Sequence, residues 1–118
     1  MINSSYSALA ALRAIGTTVE ASANNTANIE TDGYKKTRVS IEENQVHEPQ
    51  ARAEKVNTPG PLVQQQASDG SIEMVEKSNV ELSEEIPNQM LSRRFFQANL
   101  KTIQTADQML GSLMDIIS

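Results

Sequence analysis

The chain has 118 residues, enough for one domain or one small domain with extensions. Only 3% of residues are aromatic, with no Trp and no Cys, so a large aromatic core, disulfides and thiolate metal sites are all excluded. The formal charge of −5 divides as +1, −4 and −2 over residues 1–38, 39–77 and 78–118, which leaves no basic patch for nucleic acid. No apolar run approaches the ~20 residues of a membrane span. Arg13 and Glu20 interrupt the N-terminal apolar stretch, so membrane insertion and a cleaved secretory signal are not expected.

In chain order, residues 3 to about 28 read as a helix with Asn3, Ser4 and Ser5 as candidate N-caps. Leu9, Leu12, Ile15, Val19 and Ala23 recur at three and four residues, with Ala8 and Ala11 beside them. So narrow a stripe fits a coiled-coil-like seam that lets another helix come close. The stretch NNTANIETDGYKK, residues 24–36, then gathers unusual polar chemistry. Asp32-Gly33 suits a turn needing positive φ, and an ordinary helix stop followed by a hairpin turn accounts for it. Asn24, Asn25, Asn28 and Thr31 come at helix-like intervals before that stop, which favours an assembly surface in which amides set register against another chain.

Residues 39–77 hold three of the four prolines and much of the negative charge. Val39-Ser40-Ile41, Pro61 to Gln65 and Ser71 to Val75 read as strands, and Thr58-Pro59-Gly60-Pro61 as a turn. Glu42 to Asn57 has weak periodicity and reads as a mobile loop.

Residues 83–117 read as the longest helix, roughly 50 Å at 1.5 Å per residue. Phe96, Leu100, Ile103, Leu110, Leu113 or Met114, and Ile117 keep a seven-residue repeat, with Ala106 or Asp107 at the skipped position. With Ser83 as N-cap, Pro87 conflicts with the first turns, so a late start or a kink is expected there. The fold class is therefore mainly α: two long terminal helices pairing coiled-coil-like, with a small β-containing or irregular middle. The segments are 1–38, 39–77 and 78–118.

No catalytic constellation stands out. His47 is the only histidine and lies in an acidic, loop-like stretch. Glu42-Glu43 and Glu84-Glu85 diverge on any regular element and read as solvated faces, the second pair also as first-turn charges favoured by the helix dipole. The glycines form no phosphate loop. Neither cofactor nor metal is expected.

The residues resemble a known family at both ends. Ser7-Ala8-Leu9 through NNTANIETDGYKK is similar to the N-terminal signature of bacterial flagellar rod and hook proteins, roughly SAL…NNxANxxTxGYK. Val75 to Glu85 (VEKSNVELSEE) is similar to that family's LExSNVDLxEE. Arg94 to Asn99 and Thr102 to Leu110 resemble its RAYQAN and TADQML runs. Together these cover about two thirds of the chain. Phe95-Phe96 in place of an Ala-Tyr pair, Pro87 in place of an aliphatic residue, and the short middle depart from the pattern.

The resemblance implies an axial structural subunit of the flagellar basal-body rod, most like a small proximal-rod protein, with no enzymatic activity. It implies partners among other rod and hook proteins and further copies of itself. It also implies export by the flagellar apparatus without signal cleavage, and a place in the periplasm-spanning rod. The expected interface comprises Leu9, Leu12, Ile15, Val19, Phe96, Leu100, Ile103, Leu110 and Ile117 for burial. Asn24, Asn25, Asn28, Thr31, Gly33, Tyr34, Ser78, Asn79, Asn99 and Asp107 are expected to set register. An isolated subunit is expected to form a hairpin or a homo-oligomer. A non-polymerising coiled-coil adaptor or export-chaperone-like module is the alternative reading, and an enzyme built on His47 a third.

Overall fold

A computed structural model describes residues 2–118. Helix α1 spans Ile2–Ala27, strands β1 and β2 span Thr37–Glu43 and Pro49–Lys55, strands β3 and β4 span Leu62–Gln66 and Ile72–Glu76, and helix α2 spans Leu82–Ile117. The helices lie antiparallel. Ser22 and Thr26 near the end of α1 meet Glu85 and Gln89 near the start of α2, while Ser4 shares a groove with Ala106 and Met109. The result is a rod, 81 × 26 × 19 Å, with a radius of gyration of 21.1 Å. A compact chain of this length would have a radius near ~13.5 Å.

The buried apolar residues are few and mostly small: Ala8, Ala14, Ile15, Val80 and Ala106. Ser22, Asn25, Glu85 and Ser92 share the helix seam with them. The seam is thus rotated from the expected stripe. Ile15 lies in it, and Leu12 and Ile103 are half-buried. Leu9, Val19, Phe96, Leu100, Leu110 and Ile117 remain exposed along its flanks. Small and hydrogen-bonding side chains allow close approach of the two backbones, and the larger side chains are displaced outward.

Each pair of strands forms a separate antiparallel hairpin, with Val39 opposite Ala53 in the first and Val63 opposite Val75 in the second. The segment Glu42 to Asn57, expected as a mobile loop, contains all of β2. Its two-residue alternation is weak because most of β2 is exposed, so no core demands an apolar face. The turn between β1 and β2 is held by Asn44, whose Oδ1 accepts from the Val46 and Glu48 amides, and His47 takes a positive φ of 59°. β3 and β4 each lie one residue later than expected.

Helix α2 starts at Leu82, not late, and runs unbroken through Pro87; Glu81, not Ser83, occupies the N-cap position and makes no side-chain cap bond. Proline removes one donor, that toward the Ser83 carbonyl, close to the helix start. Helix α1 starts at Ile2, so Asn3, Ser4 and Ser5 lie in its first turn rather than capping it.

Candidate assembly surface

Asn25 explains the polar corner. It is 2% exposed, and its carboxamide bonds on every side. Nδ2 donates to the Thr37 carbonyl at 2.8 Å and to Glu85 Oε1 at 3.1 Å. Oδ1 accepts from the Thr37 amide at 2.9 Å and the Tyr34 hydroxyl at 3.2 Å. One side chain on α1 therefore holds the start of β1 and the first turn of α2 together. Glu85 is buried, not solvated as expected from its neighbour. Its Oε2 accepts from Ser22 Oγ at 2.6 Å, and Gln89 Nε2 donates to Ser22 Oγ and Thr26 Oγ1. Among the described residues no buried side-chain polar atom lacks a partner. These polar groups sit at helical intervals on both helices and fix their register.

A second clasp joins the two hairpins. Asn79 Oδ1 accepts from the Lys36 amide at 2.7 Å, and Nδ2 donates to the Val56 and Thr58 carbonyls. The Gly33 amide, at φ 69°, donates to the Glu76 carbonyl at 2.8 Å, so Asp32-Gly33 turns the chain between helix and strands rather than closing a hairpin. Gly60 passes so close to the Lys77–Ser78 backbone that an added Cβ would collide with the Lys77 carbonyl oxygen. Lys35 pairs with Glu76, Lys36 with Glu84 and Lys77 with Asp32. Lys35, aided by the Gly60 amide, holds the Glu76 carboxyl below the usual glutamate range; Lys36 does the same for Glu84.

The expected register residues therefore fall into two groups. Asn25, Tyr34, Ser78 and Asn79 are occupied inside the subunit: Ser78 is buried and accepts from the Val80 amide. Asn28 donates to the Asn24 carbonyl and accepts from the Thr31 hydroxyl at the surface. Asn99 donates to the Phe95 carbonyl along its own helix. Asn24, Thr31, Gly33 and Asp107 are exposed. Ser22, Glu85, Gln89 and Gly60 carry as much of the corner as any of these and were not among the expected interface residues. The signal for three of them was present as polar residues at core intervals, Ser22-x-x-Asn25-Thr26 and Glu85-x-x-x-Gln89.

Large apolar side chains line both flanks of α2. Val19, Met90, Phe96 and Leu100 border a groove beside Gly16, and Leu91 and Phe95 lie at the opposite flank. Beyond Ala106, Met109, Leu110, Leu113, Met114, Ile116 and Ile117 are all between 42% and 84% exposed. His47 is exposed, and the only ion pair it forms among the described residues is with Glu43. No group of metal-ligating side chains is assembled among the described residues.

Residues 73–116 match the family described as flagellar basal body rod FlgEFG protein C-terminal. This segment, less than half of the chain, is similar to the flagellar basal-body rod and hook family. The flagellar hook protein FlgE of Escherichia coli (strain K12) is 43% identical over 42 residues, which are 36% of this chain. The same figures hold for the hook proteins of Salmonella typhimurium and Salmonella typhi. The chain spans about a tenth of the length of these curated relatives. The rod and hook family is structural rather than enzymatic. Its matched region here covers β4 beyond Ile72, the Asn79 clasp and nearly all of α2.

Proposed function

We propose that this protein is an axial subunit of the flagellar basal-body rod, assembling with itself and with other rod and hook proteins through the outer flanks of its helix pair. Its partners include the flagellar export apparatus, and it reaches the periplasm-spanning rod without signal cleavage. The observation that carries the reading is the reversal of the usual burial order. The intramolecular seam is lined by small and polar residues, while the large apolar residues of α2 face outward along its length. Apolar exposure on this scale marks a surface that other chains cover. Leu9, Val19, Phe96, Leu100, Leu110 and Ile117 supply burial between subunits. Asn24, Asn28, Thr31 and Asp107, on the exterior, supply contacts that set one subunit against the next, while Asn25 and Asn79 keep each subunit in the shape that presents them.

Sedimentation velocity over a concentration series tests this. The wild-type chain should form open-ended, growing species. Leu110→Asp should abolish them while leaving far-UV circular dichroism unchanged, since Leu110 is exposed in the free chain and a buried, unpaired charge is strongly unfavourable. A monomer at every concentration, saturating with a single partner, would replace this reading with that of an adaptor.

A further inference from the structure

A groove of about 310 Å³ runs between β1 and α2, floored by Ile15 and Thr18 and walled by Leu91 and Phe95. Both elements lie on α1, yet the backbones of β1 and α2 stay apart. The wall facing Leu91 is the open edge of a strand. Lys36 accepts from the Val56 amide and Asn44 donates to the Glu48 carbonyl, so the even-numbered residues of β1 bond to β2. In an antiparallel ladder the alternate residues, Thr37, Val39 and Ile41, then direct their amides and carbonyls away from β2. At Thr37 the Asn25 carboxamide accepts from the amide and donates to the carbonyl, as the backbone of a neighbouring strand would. Val39 and Ile41 continue that edge, and among the described residues no side chain bonds to their backbone.

The β3–β4 hairpin offers the complementary edge. It touches no other helix or strand of its own chain. Lys77 donates to the Pro61 carbonyl and Ala67 to the Ser71 carbonyl, so the odd-numbered residues of β4 face β3. Ile72, Met74 and Glu76 therefore point their backbone groups outward. The Glu76 carbonyl is taken by Gly33, which leaves Ile72 and Met74. Their side chains are 72% and 57% exposed.

We propose that the Ile72–Met74 edge of one copy adds as a strand to the Val39–Ile41 edge of a second copy, in the groove beside α2. Each edge has two open residues, and each is blocked at one end by an internal bond that limits where pairing can begin. Ile72 and Met74 bring apolar side chains to Leu91 and Phe95. Glu73 lies between them and Arg38 between Thr37 and Val39; neither forms a close ion pair among the described residues, although Arg38 also acts on Glu84 from a distance, and the two charges are opposite in sign. An isolated two-stranded hairpin with exposed apolar residues is marginal alone, and strand addition gives it a third strand. The contact joins different surfaces of identical chains, so it propagates instead of closing a dimer. This inference rests on the self-assembly reading above and assigns it a second, main-chain contact.

The absence of cysteine makes the test direct. Ile41→Cys and Met74→Cys chains, purified separately, are mixed and oxidised, and the mixed dimer is read on a non-reducing gel. It should exceed either homodimer and the Ile41→Cys with Leu62→Cys pair, which probes the other edge of the hairpin, by about fivefold, the factor one net hydrogen bond carries. Met74→Pro, at a residue whose amide does not bond to β3, added to Ile72→Cys chains keeps the hairpin but should lower capture by Ile41→Cys at least as much. Equal yields from all pairs, or preferential capture by Leu62→Cys, overturn the proposal. Association abolished by Leu110→Asp with no selective cross-link leaves the helix reading standing and removes the strand contact. A selective cross-link in chains whose association ignores Leu110→Asp does the reverse.

Discussion

Asn25→Ala should be the most damaging single truncation in the chain. The change strips four hydrogen bonds from one buried position. It leaves the amide and carbonyl of half-buried Thr37 without partners, about 1 kcal/mol each at that exposure. Glu85 keeps its bond from Ser22 and loses that from Asn25; a hydrogen bond to a charged group contributes about 1.5–3 kcal/mol. The Tyr34 hydroxyl can turn to water. Together these amount to about 3–5 kcal/mol. Domains of ordinary size have about 5–15 kcal/mol in all. With five buried apolar residues among those described, three of them alanines, this one belongs near the lower end. The melting temperature by far-UV circular dichroism should fall by about 12–20 °C, taking about 4 °C per kcal/mol at this chain length. Hydrogen exchange at the Thr37 amide should accelerate in step. Asn24→Ala is the control: Asn24 is exposed, its side chain makes no hydrogen bond among the described residues, and the change should stay within about 0.5 kcal/mol. An Asn25→Ala protein as stable as the Asn24→Ala protein would refute the view that this amide organises the corner.

Gly60→Ala should destabilise by about 1–3 kcal/mol in urea unfolding, because the new methyl meets the backbone of Lys77, which cannot swing aside as a side chain can. Glu76 and Glu84 titrate below the usual glutamate range because Lys35 and Lys36 favour their charged forms. The stability they contribute is complete above the unfolded-state value and is lost as pH falls through the lower folded value. A Glu76→Gln, Glu84→Gln protein should therefore be less stable than wild type at pH 7 and match it near pH 3 in thermal melts; a difference that persists at pH 3 would contradict the ion-pair origin.

The two helices were legible because seven-residue spacing survives whatever the pair is packed against. Which face turns inward was not legible. Leu9, Val19 and Phe96 satisfy the hydrophobic pattern better than Ala8, Ser22 and Ser92 do, but the chain spends the larger residues on its exterior. A hydrophobic pattern marks what is buried eventually, not what is buried within one chain. Glu85 was misread for a related reason: adjacent acids look alike in sequence, and only the opposed Ser22 and Asn25 separate Glu85 from Glu84. Strand β2 was missed because Gln50, Arg52 and Glu54 stand in water on one side and little covers the other. Proline at its first residue costs the ladder nothing at that position.

The clasp around Asn79 and Gly60 separates architecture from ornament. Beside the Asn25–Thr37 bonds and the packing of α1 on the first hairpin, the bonds that tie the two hairpins together run through Tyr34 to Lys36, Val56 to Pro61 and Glu76 to Asn79. Beyond it, the turn at Asp69-Gly70 belongs to a hairpin that no helix or other strand touches. Chain grafted at that tip leaves every clasp bond in place. For a flexible insert, each doubling of length costs only about 0.6 kcal/mol in closure entropy. The helix pair is thus a handle of fixed geometry that can carry a whole additional domain at the hairpin tip.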